Sequence, residues 1–460
     1  MTAMEPDVVV VGRGIVGAAV AMRLARGGRS VLTIDVGDPA GSATCASGAM
    51  LGVLGELRPH DNPAELALRL EAWARQPSWW DEIGMPPAPA GTFVVAGQDR
   101  PDDLTALRAM EDEALLHGLR AERVEPEEIT ELSNAPGYRS ARALYLADEA
   151  WVDGPALRQE VIVVAARLGA SVADDRAEAI EHEHGAVTGV RTRGAGSISC
   201  REVVLCTGAA VHALLRVSGL DETLVPAVVP AKGVGLVLEG SRGPRYAHVL
   251  RTPNRQFACG LHLVPRGPGR VYVGSTNTAG SHLPGTSGQV TAGETSQLLT
   301  GVTRELASPL NVWDITGMRY GLRPMPMDGM PIAGRTALDG LSVATGTYRN
   351  GVLLAPLMAD AVAASLDGCG PAGLSPQRLS PPVDVTAVLR RGLGELIDHW
   401  RYDNGARWHE RLSPLLEQMT ELAFGTGPLV ETRRHEVAEF VQRHGRPEMV
   451  PEVVIRFLQS

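Results

Sequence analysis

A glycine-rich turn between a short strand and a helix constrains this chain more than any other stretch. The four valines Val8–Val11 predict a buried strand, and three glycines in GxGxxG spacing follow directly. In such a unit the glycines permit the tight turn, admit a pyrophosphate close to the backbone and let the helix pack on the sheet. The helix N-terminus directs its positive end at the phosphate. The predicted dinucleotide contacts are Gly12, Gly14, Ile15, Val16 and Gly17.

A second strand supports the same interpretation. The run Val31–Ile34 leads into Asp35, which lies 23 residues beyond Gly12. This is close to the spacing of about 20 residues at which a carboxylate holds the adenosine ribose. A glycine-rich turn in an ordinary α/β protein is the alternative, but strand, turn, helix, strand and acid occur here in the expected order. The motif itself leaves open whether the dinucleotide is FAD or NAD(P).

Two loops of small residues predict further backbone contacts with a large ligand. Nearly every residue of 41–52 is small, so this loop can lie flat on a ligand and donate N–H groups to it. A flexible linker is the alternative. A buried strand that begins at Val203 runs into a second turn of the same kind. The contacts predicted from the two loops are Thr44, Cys45, Ala46, Ser47, Gly48, Ala49, Met50, Thr207 and Gly208.

A second glycine turn precedes an apolar helix late in the chain. Residues 341–346 predict a strand and a turn, and the helix is predicted from Val352 to Leu366. Its N-terminus offers a dipole and N–H groups to a charge-delocalised ring. The contacts predicted here are Arg349, Asn350, Gly351, Val352 and Leu353.

Composition narrows the class of protein. The 460 residues carry a net charge of −10, which argues against a nucleic-acid partner. No apolar run approaches the roughly 20 residues of a membrane helix, and no basic region precedes the first strand, so we expect no integral membrane segment and a cytoplasmic protein. The five cysteines form neither CxxC nor a Cys/His metal spacing, so we expect free thiols and no metal site.

The middle of the chain predicts a second domain. Short β-type runs between residues 225 and 320 predict an antiparallel substrate-binding sheet. Residues 276–292, rich in Gly, Ser and Thr, are interpreted as a mobile loop, and residues 321–331 as an irregular loop.

Taken together, these pieces resemble the D-amino acid oxidase/sarcosine oxidase superfamily of flavoenzymes, and glycine oxidase most of all. The matching segments occur in the expected order over residues 1 to about 375. They are the GxGxxG unit, 44–52, 203–208, Pro-Ala-Lys-Gly at 230–233, Val-Pro-Arg at 264–266, Gly-Leu-Arg-Pro at 321–324 and Arg-Asn-Gly-Val-Leu-Leu-Ala-Pro at 349–356.

The resemblance implies non-covalent FAD as the cofactor and makes NAD(P) a minor alternative. The implied fold is α/β, with a Rossmann-like FAD-binding domain and a discontinuous antiparallel-sheet (α+β) substrate domain, the flavin ring lying at their junction. The FAD-binding domain is predicted at 1–85, 140–222 and 321–375, the substrate domain at 86–139 and 223–320, and an unmatched α-helical C-terminal extension at 376–460.

The resemblance also implies a reaction. A small α-amino acid or N-substituted glycine-type secondary amine would lose hydride from its α-carbon to flavin N5, the imine would hydrolyse, and O2 would be reduced to H2O2. The alternatives are an amino acid dehydrogenase with another acceptor, or a non-catalytic flavoprotein subunit of a larger assembly. A homo-oligomer is expected.

Two arginines carry the implied substrate contacts. In glycine-oxidase-like enzymes the positions of Arg323 and Arg349 hold the substrate carboxylate, and a planar guanidinium can grip a carboxylate through two parallel hydrogen bonds. Arginines paired with a protein acid are the alternative. Both residues are also predicted to contact the cofactor.

Departures from the glycine-oxidase pattern predict a more polar pocket. His262 replaces an aromatic residue, Asn277 replaces a methionine, and Thr347 replaces a histidine. His262 could bind substrate or tune amine protonation, or be a satisfied strand histidine. Glu56 matches a pocket-edge glutamate that could meet a cationic substrate tail, or is a solvated charge. We therefore expect a larger or more polar substrate than glycine, such as an N-substituted glycine or a hydrazino acid.

Two features stay open from the sequence. Lys232 is the only lysine, which indicates either a need for a compact amine or the composition of an arginine-rich chain. The extension predicts four amphipathic helices that pack on the parent chain or a dimer partner, cover the active site, or dock a partner enzyme.

Overall fold

The structure, a computed structural model, describes most of the region in which the motifs lie. The described residues are 5–37, 41–57, 63–88, 90–98, 100–254, 260–279, 289–326, 328–378, 427–432 and 434–436. The predicted C-terminal extension lies mainly outside them, and its described residues 428–432 and 434–436 are helical. The predicted mobile loop also lies largely outside them.

Eight α-helices occur in the described ranges between residues 5 and 378. They are α1 Ile15–Arg26, α2 Ala43–Ala46, α3 Pro63–Ile83, α4 Pro101–His117, α5 Gly154–Arg167, α6 Val211–Val217, α7 Ala292–Glu305 and α8 Gly351–Leu366.

The strands alternate with these helices along the chain. The first ten are β1 Val8–Val11, β2 Val31–Asp35, β3 Met50–Leu51, β4 Thr92–Gly97, β5 Ala121–Val124, β6 Ser140–Leu146, β7 Ala150–Trp151, β8 Ser171–Asp174, β9 Ala177–Glu183 and β10 Ala186–Thr192. The others are β11 Gly196–Ser199, β12 Val203–Leu205, β13 Val228–Glu239, β14 Val249–Arg251, β15 His262–Pro265, β16 Arg270–Gly274, β17 Thr278–Ala279, β18 Asp314–Pro326, β19 Ile332–Arg335 and β20 Leu341–Thr345.

The strands form two large sheets, so the predicted α/β fold is confirmed. A six-stranded sheet has the order β19-β20-β12-β1-β2-β8, parallel except for β19. A nine-stranded sheet has the order β17-β13-β16-β15-β14-β4-β6-β5, with β18 paired to β13. It is antiparallel apart from the parallel pair β4 and β14. Two smaller sheets, β9-β10-β11 and β3-β7, complete the described strands.

The opening unit folds as its spacing predicts. Val8–Val11 are at most 3% exposed, and each buried valine contributes about 1.5–3 kcal/mol relative to an exposed one. Gly14 is the N-cap of α1, and the helix ends at Arg26, where Gly28 adopts a positive φ of 82°. Helix α1 packs against α5 and α8, so both predicted helix N-termini, those of α1 and α8, belong to one layer.

The nine-stranded sheet corrects two predictions. The expectation of an irregular loop at 321–331 is wrong for its first half, because 321–326 form the end of β18 and pair with β13. Prolines 324 and 326 argued against a strand in the sequence, because proline has no N–H group to donate to a neighbouring strand. An edge strand such as β18 tolerates proline, since the N–H groups on its outer side need no partner. The short β-type runs predicted from residue 225 onwards are also corrected, because Val228–Glu239 form the single long strand β13. Segments 140–146 and 321–326, predicted within the FAD-binding domain, both pair in this sheet.

The described cysteines Cys200, Cys206 and Cys369 are free thiols. Among the described residues no cluster of three or more His, Cys, Asp or Glu side chains could hold a metal ion. No described helix combines the length and the apolar composition needed to cross a membrane.

Candidate active site

One elongated cavity joins the motifs predicted from the sequence. Its volume is about 1080 Å³, and its lining runs from the turn after β1, along the loop at 41–50, to the start of α8. Small-molecule sites usually occupy about 300–1,000 Å³, so this volume suits a ligand of dinucleotide size together with a substrate.

Close backbone packing builds the first end of the cavity. A Cβ on Gly17 would lie 1.9 Å from the Gly12 carbonyl oxygen, and one on Gly12 would lie 2.5 Å from the Cys206 carbonyl oxygen. Only glycine therefore allows the turn to approach both α1 and the end of β12. Thr44 Oγ1 accepts a hydrogen bond from the Ile15 N–H at 3.1 Å, which fixes the small-residue loop against the start of α1.

The cavity brings most of the predicted site residues together. Those that line it are Gly12, Gly14, Ile15, Val16, Asp35, Thr44, Ala46, Ser47, Gly48, Ala49, Met50, Glu56, Thr207, Gly208, His262, Arg323, Arg349, Gly351 and Val352. Those outside the lining are Gly17, Cys45, Asn277, Asn350 and Leu353.

The residues outside the lining have other partners. The carbonyl of Cys45 accepts a hydrogen bond from Arg319 at 3.0 Å. Leu353 is 1% exposed in the core, and its carbonyl accepts a hydrogen bond from Gln76. Asn350 is the N-cap position of α8. These residues support the cavity wall from behind.

The residues present fit FAD. The Thr207 hydroxyl is buried at the cavity wall and has no hydrogen-bond partner in the described part of the protein. Such an orphaned group at a cavity wall indicates a ligand with hydrogen-bonding atoms. The N-terminal ends of α1 and α8 open onto the same cavity, at Gly14–Val16 and Gly351–Val352, which suits a pyrophosphate at one end and an electron-rich ring at the other.

Two glycines of β13 form a flat shelf for large side chains of neighbouring strands. A Cβ on Gly233 would lie 2.1–2.2 Å from the guanidinium atoms of Arg323, and one on Gly235 would lie 2.1 Å from the Tyr272 hydroxyl oxygen. Gly233 and Gly235 are two residues apart on one strand, so they face the same side of the sheet. The shelf therefore places Arg323 and Tyr272 side by side at the cavity.

Arg323 is held on this shelf by the chain that follows β16. Its Nη2 donates to Ser275 Oγ at 2.6 Å, and its Nη1 donates to the Thr276 carbonyl and to Asn277 Oδ1, both at 3.1 Å. Asn277 also donates from Nδ2 to the Tyr348 hydroxyl at 2.6 Å. Asn277 thus connects Arg323 to the turn that carries Arg349.

Arg349 lines the same cavity and comes from the turn before α8. Its side chain is 10% exposed, and its Cζ lies 5.1 Å from the centre of the Tyr348 ring. Nη1 donates to Asn254 Oδ1 at 3.1 Å, and Nε lies 3.7 Å from Glu56 Oε2. The predicted arginines therefore line one cavity although 26 residues separate them in sequence.

A buried ionic cluster stands behind Arg349. Arg251 is 1% exposed and donates from Nη1 to Glu56 Oε1 at 2.7 Å and from Nη2 to Asn254 Oδ1 at 2.8 Å. Asn254 Nδ2 donates to Glu56 Oε2 at 3.3 Å. Glu56 is 7% exposed, so it is a buried, paired carboxylate and not a solvated charge.

The two buried carboxylates of this region have opposite pKa shifts. Burial disfavours the charged form of Glu56, but the positive charges of Arg251 and Arg349 outweigh it and hold the pKa of Glu56 well below its ordinary value. Burial dominates at Glu149 and raises its pKa, although the Gly55 N–H donates to it at 2.7 Å. Glu56 is therefore ionised at neutral pH.

His262 lies in the wall as a neutral imidazole. Burial, followed by the positive charge of Arg251, lowers its pKa to about 3. Its Nδ1 lies 2.9 Å from the Gly260 carbonyl, which can only accept, so Nδ1 carries the proton and Nε2 carries a lone pair. The ring stacks on Tyr272 with centroids 5.9 Å apart.

Lys232 is buried in an ion pair outside the cavity lining. It is 1% exposed, and its Nζ donates to Glu294 Oε2 at 2.9 Å and to the Gln289 carbonyl at 2.8 Å. Glu294 forms a capping box with Thr291 at the start of α7. The lysine thus joins β13 to this helix, and it is not part of the cavity lining.

Sequence reasoning missed Arg251, Asn254 and Tyr348. One local signal existed for Arg251, since a lone charge ends the apolar run of β14, Val249–Arg251, and a charge in such a run must find a buried partner. No local pattern marks Asn254 or Tyr348, which act through contacts distant in sequence.

The chain is similar to proteins of one family over most of its length. The profile of the DAO family, FAD dependent oxidoreductase, matches residues 7–365. A glycine oxidase from Pseudomonas putida is 29% identical over 389 residues, covering 80% of this chain and 96% of that protein. The crystal structure of glycine oxidase from Geobacillus kaustophilus aligns with a TM-score of 0.70 at 25% identity, covering 82% of this chain and 99% of that one.

Other relatives are longer than the matched region. A bifunctional protein ThiO/ThiG from Trichormus variabilis is 26% identical over 370 residues, which are 78% of this chain and 52% of that protein. The chain therefore spans about half the length of such bifunctional relatives.

Proposed function

The chain belongs to the DAO family of FAD dependent oxidoreductases, and on that premise we propose that it oxidises a small α-amino acid or a secondary amine of the N-substituted glycine type. The observation that carries this proposal is that Arg323 and Arg349 line one cavity and are connected through Asn277, which accepts from Arg323 and donates to Tyr348. They come from separate elements, the strand β18 and the turn before α8, so the fold brings both to the same cavity. Two guanidinium groups at a cavity wall suit a carboxylate.

Each arginine has a distinct part in binding. Arg349 is proposed to bind the substrate carboxylate, because its guanidinium is pre-positioned by Asn254 and by the Tyr348 ring. Arg323 is proposed to complete the anion site and to contact the cofactor from the Gly233 shelf. Fixing the carboxylate fixes the α-carbon, which is how an enzyme turns binding into a favourable reaction geometry.

When bound, FAD would supply the redox chemistry, as acceptor of the substrate hydride and donor of electrons to an acceptor, for which we propose O2 with release of H2O2. The protein then has to bind the amine in its neutral, reactive form. His262 is suited to this task, because its low pKa keeps the imidazole neutral and its Nε2 lone pair can accept a hydrogen bond from a substrate N–H.

Pocket polarity supports a substrate larger than glycine. His262 introduces polar ring nitrogens into the lining, and the buried Glu56 adds a negative charge. The relatives named above are glycine oxidases, but at 25–29% identity the substrate itself is a proposal. We propose an N-substituted glycine or a hydrazino acid as the preferred class.

Three further points belong to the same proposal. The six-stranded sheet is assigned to an FAD-binding domain and the nine-stranded sheet to a substrate domain. A homo-oligomer and a cytoplasmic location are expected from the sequence. Neither carries the catalytic argument.

An anaerobic flavin-reduction panel tests the proposed function. The purified holoprotein is mixed with glycine, D-amino acids, N-alkylglycines and hydrazino acids, and flavin absorbance is followed. We expect N-substituted glycines or hydrazino acids to reduce the flavin faster than glycine. Equal or faster reduction by glycine would contradict the substrate class, and reduction by none of the amines would favour a non-catalytic flavoprotein. Peroxide yield under air then separates an oxidase from a dehydrogenase.

A further inference from the structure

The buried ionic cluster behind Arg349 contains two arginines and one strongly ionised carboxylate. Arg251 donates to Glu56 at 2.7 Å, whereas Arg349 Nε lies 3.7 Å from the other oxygen of the same carboxylate. Glu56 therefore forms its close ion pair with the arginine farther from the cavity lining, since Arg349 lines the cavity and Arg251 does not.

Asn254 forms hydrogen bonds with both arginines and so fixes their relative positions. Its Oδ1 accepts from Arg251 at 2.8 Å, from Arg349 at 3.1 Å and from the Gly260 N–H at 3.1 Å. Its Nδ2 donates to Glu56 at 3.3 Å. The amide orientation is thus defined by donors on one side and a carboxylate on the other, which makes the cluster a single connected network.

We propose that Arg251 is a positioning residue that holds the Glu56 carboxylate away from Arg349, so that the anion bound by Arg349 is the substrate carboxylate. This inference rests on the proposed role of Arg349 in carboxylate binding. Among the described residues, the carboxylate of Glu56 faces Arg251, Arg349, the carboxyl group of Glu149 and the neutral imidazole of His262, while Arg69 donates to the Glu56 backbone carbonyl at 3.4 Å. Without Arg251, Arg349 is the described cation that faces the carboxylate, and a buried carboxylate gains from a close, charge-assisted pair with it.

The consequence is internal competition. In a protein without Arg251, Glu56 closes on Arg349 and competes with the substrate carboxylate for the same guanidinium. Loss of Arg251 should therefore weaken carboxylate binding through Glu56, although Arg251 itself does not touch the ligand. Removing the charge of Glu56 in the same protein should restore binding, and a general packing defect would not be repaired in this way.

A double-mutant cycle tests the inference in the FAD-loaded protein. The variants are Arg251→Met, Glu56→Gln and their combination, and the probe is methoxyacetate, an ether analogue of N-methylglycine that has no amine to oxidise. Its dissociation constant is measured from the change in flavin absorbance and by calorimetry. Arg251→Met is expected to weaken binding at least tenfold, Glu56→Gln to tighten it about threefold, and the double variant to bind within threefold of wild type.

Matched controls separate positioning from general stability. Arg100 is 9% exposed and pairs with Glu305 at 3.4 Å, and neither residue lines the cavity. Arg100→Met therefore removes a buried arginine outside the cavity. It should change the dissociation constant of methoxyacetate less than twofold. Uncharged methoxyacetamide should bind Arg251→Met and wild type equally. If Arg251→Met does not fold, Arg251→Lys serves instead, with a smaller loss that Glu56→Gln again reverses.

The outcomes distinguish this inference from the proposed function. A double variant that binds as weakly as Arg251→Met, or more weakly, overturns the inference, and so does a wild type that does not bind methoxyacetate. A wild type that binds methoxyacetate and shows the rescue, but whose flavin no amine reduces, supports the positioning role and contradicts the proposed oxidation.

Discussion

Replacing Gly233 by alanine should displace Arg323 without unfolding the protein. The added Cβ would lie 2.1 Å from Nη2 and 2.2 Å from Cζ of Arg323, so the guanidinium cannot stay on its shelf. The atoms it meets belong to the far end of a flexible side chain, and the backbone of β13 need not move. The perturbation is therefore local to the predicted anion site.

The size of the effect is set by the hydrogen bond to the substrate that a displaced Arg323 would no longer donate. Arg323 donates to Ser275 at 2.6 Å and to Asn277 at 3.1 Å. A hydrogen bond from a charged donor contributes about 1.5–3 kcal/mol. If displacement costs the substrate one such bond in the transition state, kcat/KM should fall about 10- to 100-fold, since roughly 1.4 kcal/mol corresponds to a factor of ten.

Steady-state kinetics with the best substrate, together with flavin content and a urea melt, measure this prediction. Gly317→Ala is the matched control, because its Cβ would lie at an ordinary 3.4 Å from Val237 in the same sheet. We expect Gly233→Ala to retain flavin and to lose activity, and Gly317→Ala to retain both. Unchanged kcat/KM in Gly233→Ala would refute the assignment of Arg323 to the anion site.

Three further predictions concern the cofactor turn, a histidine and the lysine. Gly17→Ala should be purified with little flavin, as judged by the visible-to-ultraviolet absorbance ratio, because its Cβ would lie 1.9 Å from the Gly12 backbone. The pKa of His262 is about 3 in the folded protein against an ordinary 6.5, so the unfolded chain binds a proton that the folded protein does not, and the free energy of unfolding falls as pH drops from 6.5 towards 3. In urea melts, the loss of unfolding free energy between pH 7 and pH 5 should be about 2 kcal/mol smaller in His262→Gln than in wild type. Glu294→Ala should cost about 3–5 kcal/mol in urea unfolding because it leaves the Lys232 ammonium buried, and Lys232→Met should cost less because Glu294 keeps its bonds to the cap of α7.

Local spacing made the cofactor end of the site predictable. The strand, turn and helix at 8–26 and the acid at Asp35 are read from contiguous sequence, and the structure places them along one cavity. The family resemblance extended this to Arg323 and Arg349, because each stands in a short motif. The sequence therefore predicted which segments line the cavity better than which individual atoms point into it.

Long-range contacts account for what the sequence did not reveal. Glu56 and Arg251 are 195 residues apart, and no periodicity links them. The prolines of β18 led to the prediction of a loop, because proline cannot donate a backbone hydrogen bond. Only the sheet topology shows that β18 is an edge strand, in which these positions need no donor. Cys45 illustrates the opposite error: it stands inside a contact loop, yet its backbone faces Arg319 and it does not line the cavity.

The central claim is that Arg349 and Arg323 recognise the substrate through its carboxylate. The most direct measurement is the rate of anaerobic flavin reduction by N-methylglycine or the best larger N-substituted glycine, compared with the rate for the corresponding amide, which keeps the amine and the α-carbon but lacks the charge. The account predicts that the amide reduces the flavin at least 100-fold more slowly at equal concentration in wild type, and that this ratio collapses in Arg349→Met. Equal rates for acid and amide in the wild-type protein would contradict it.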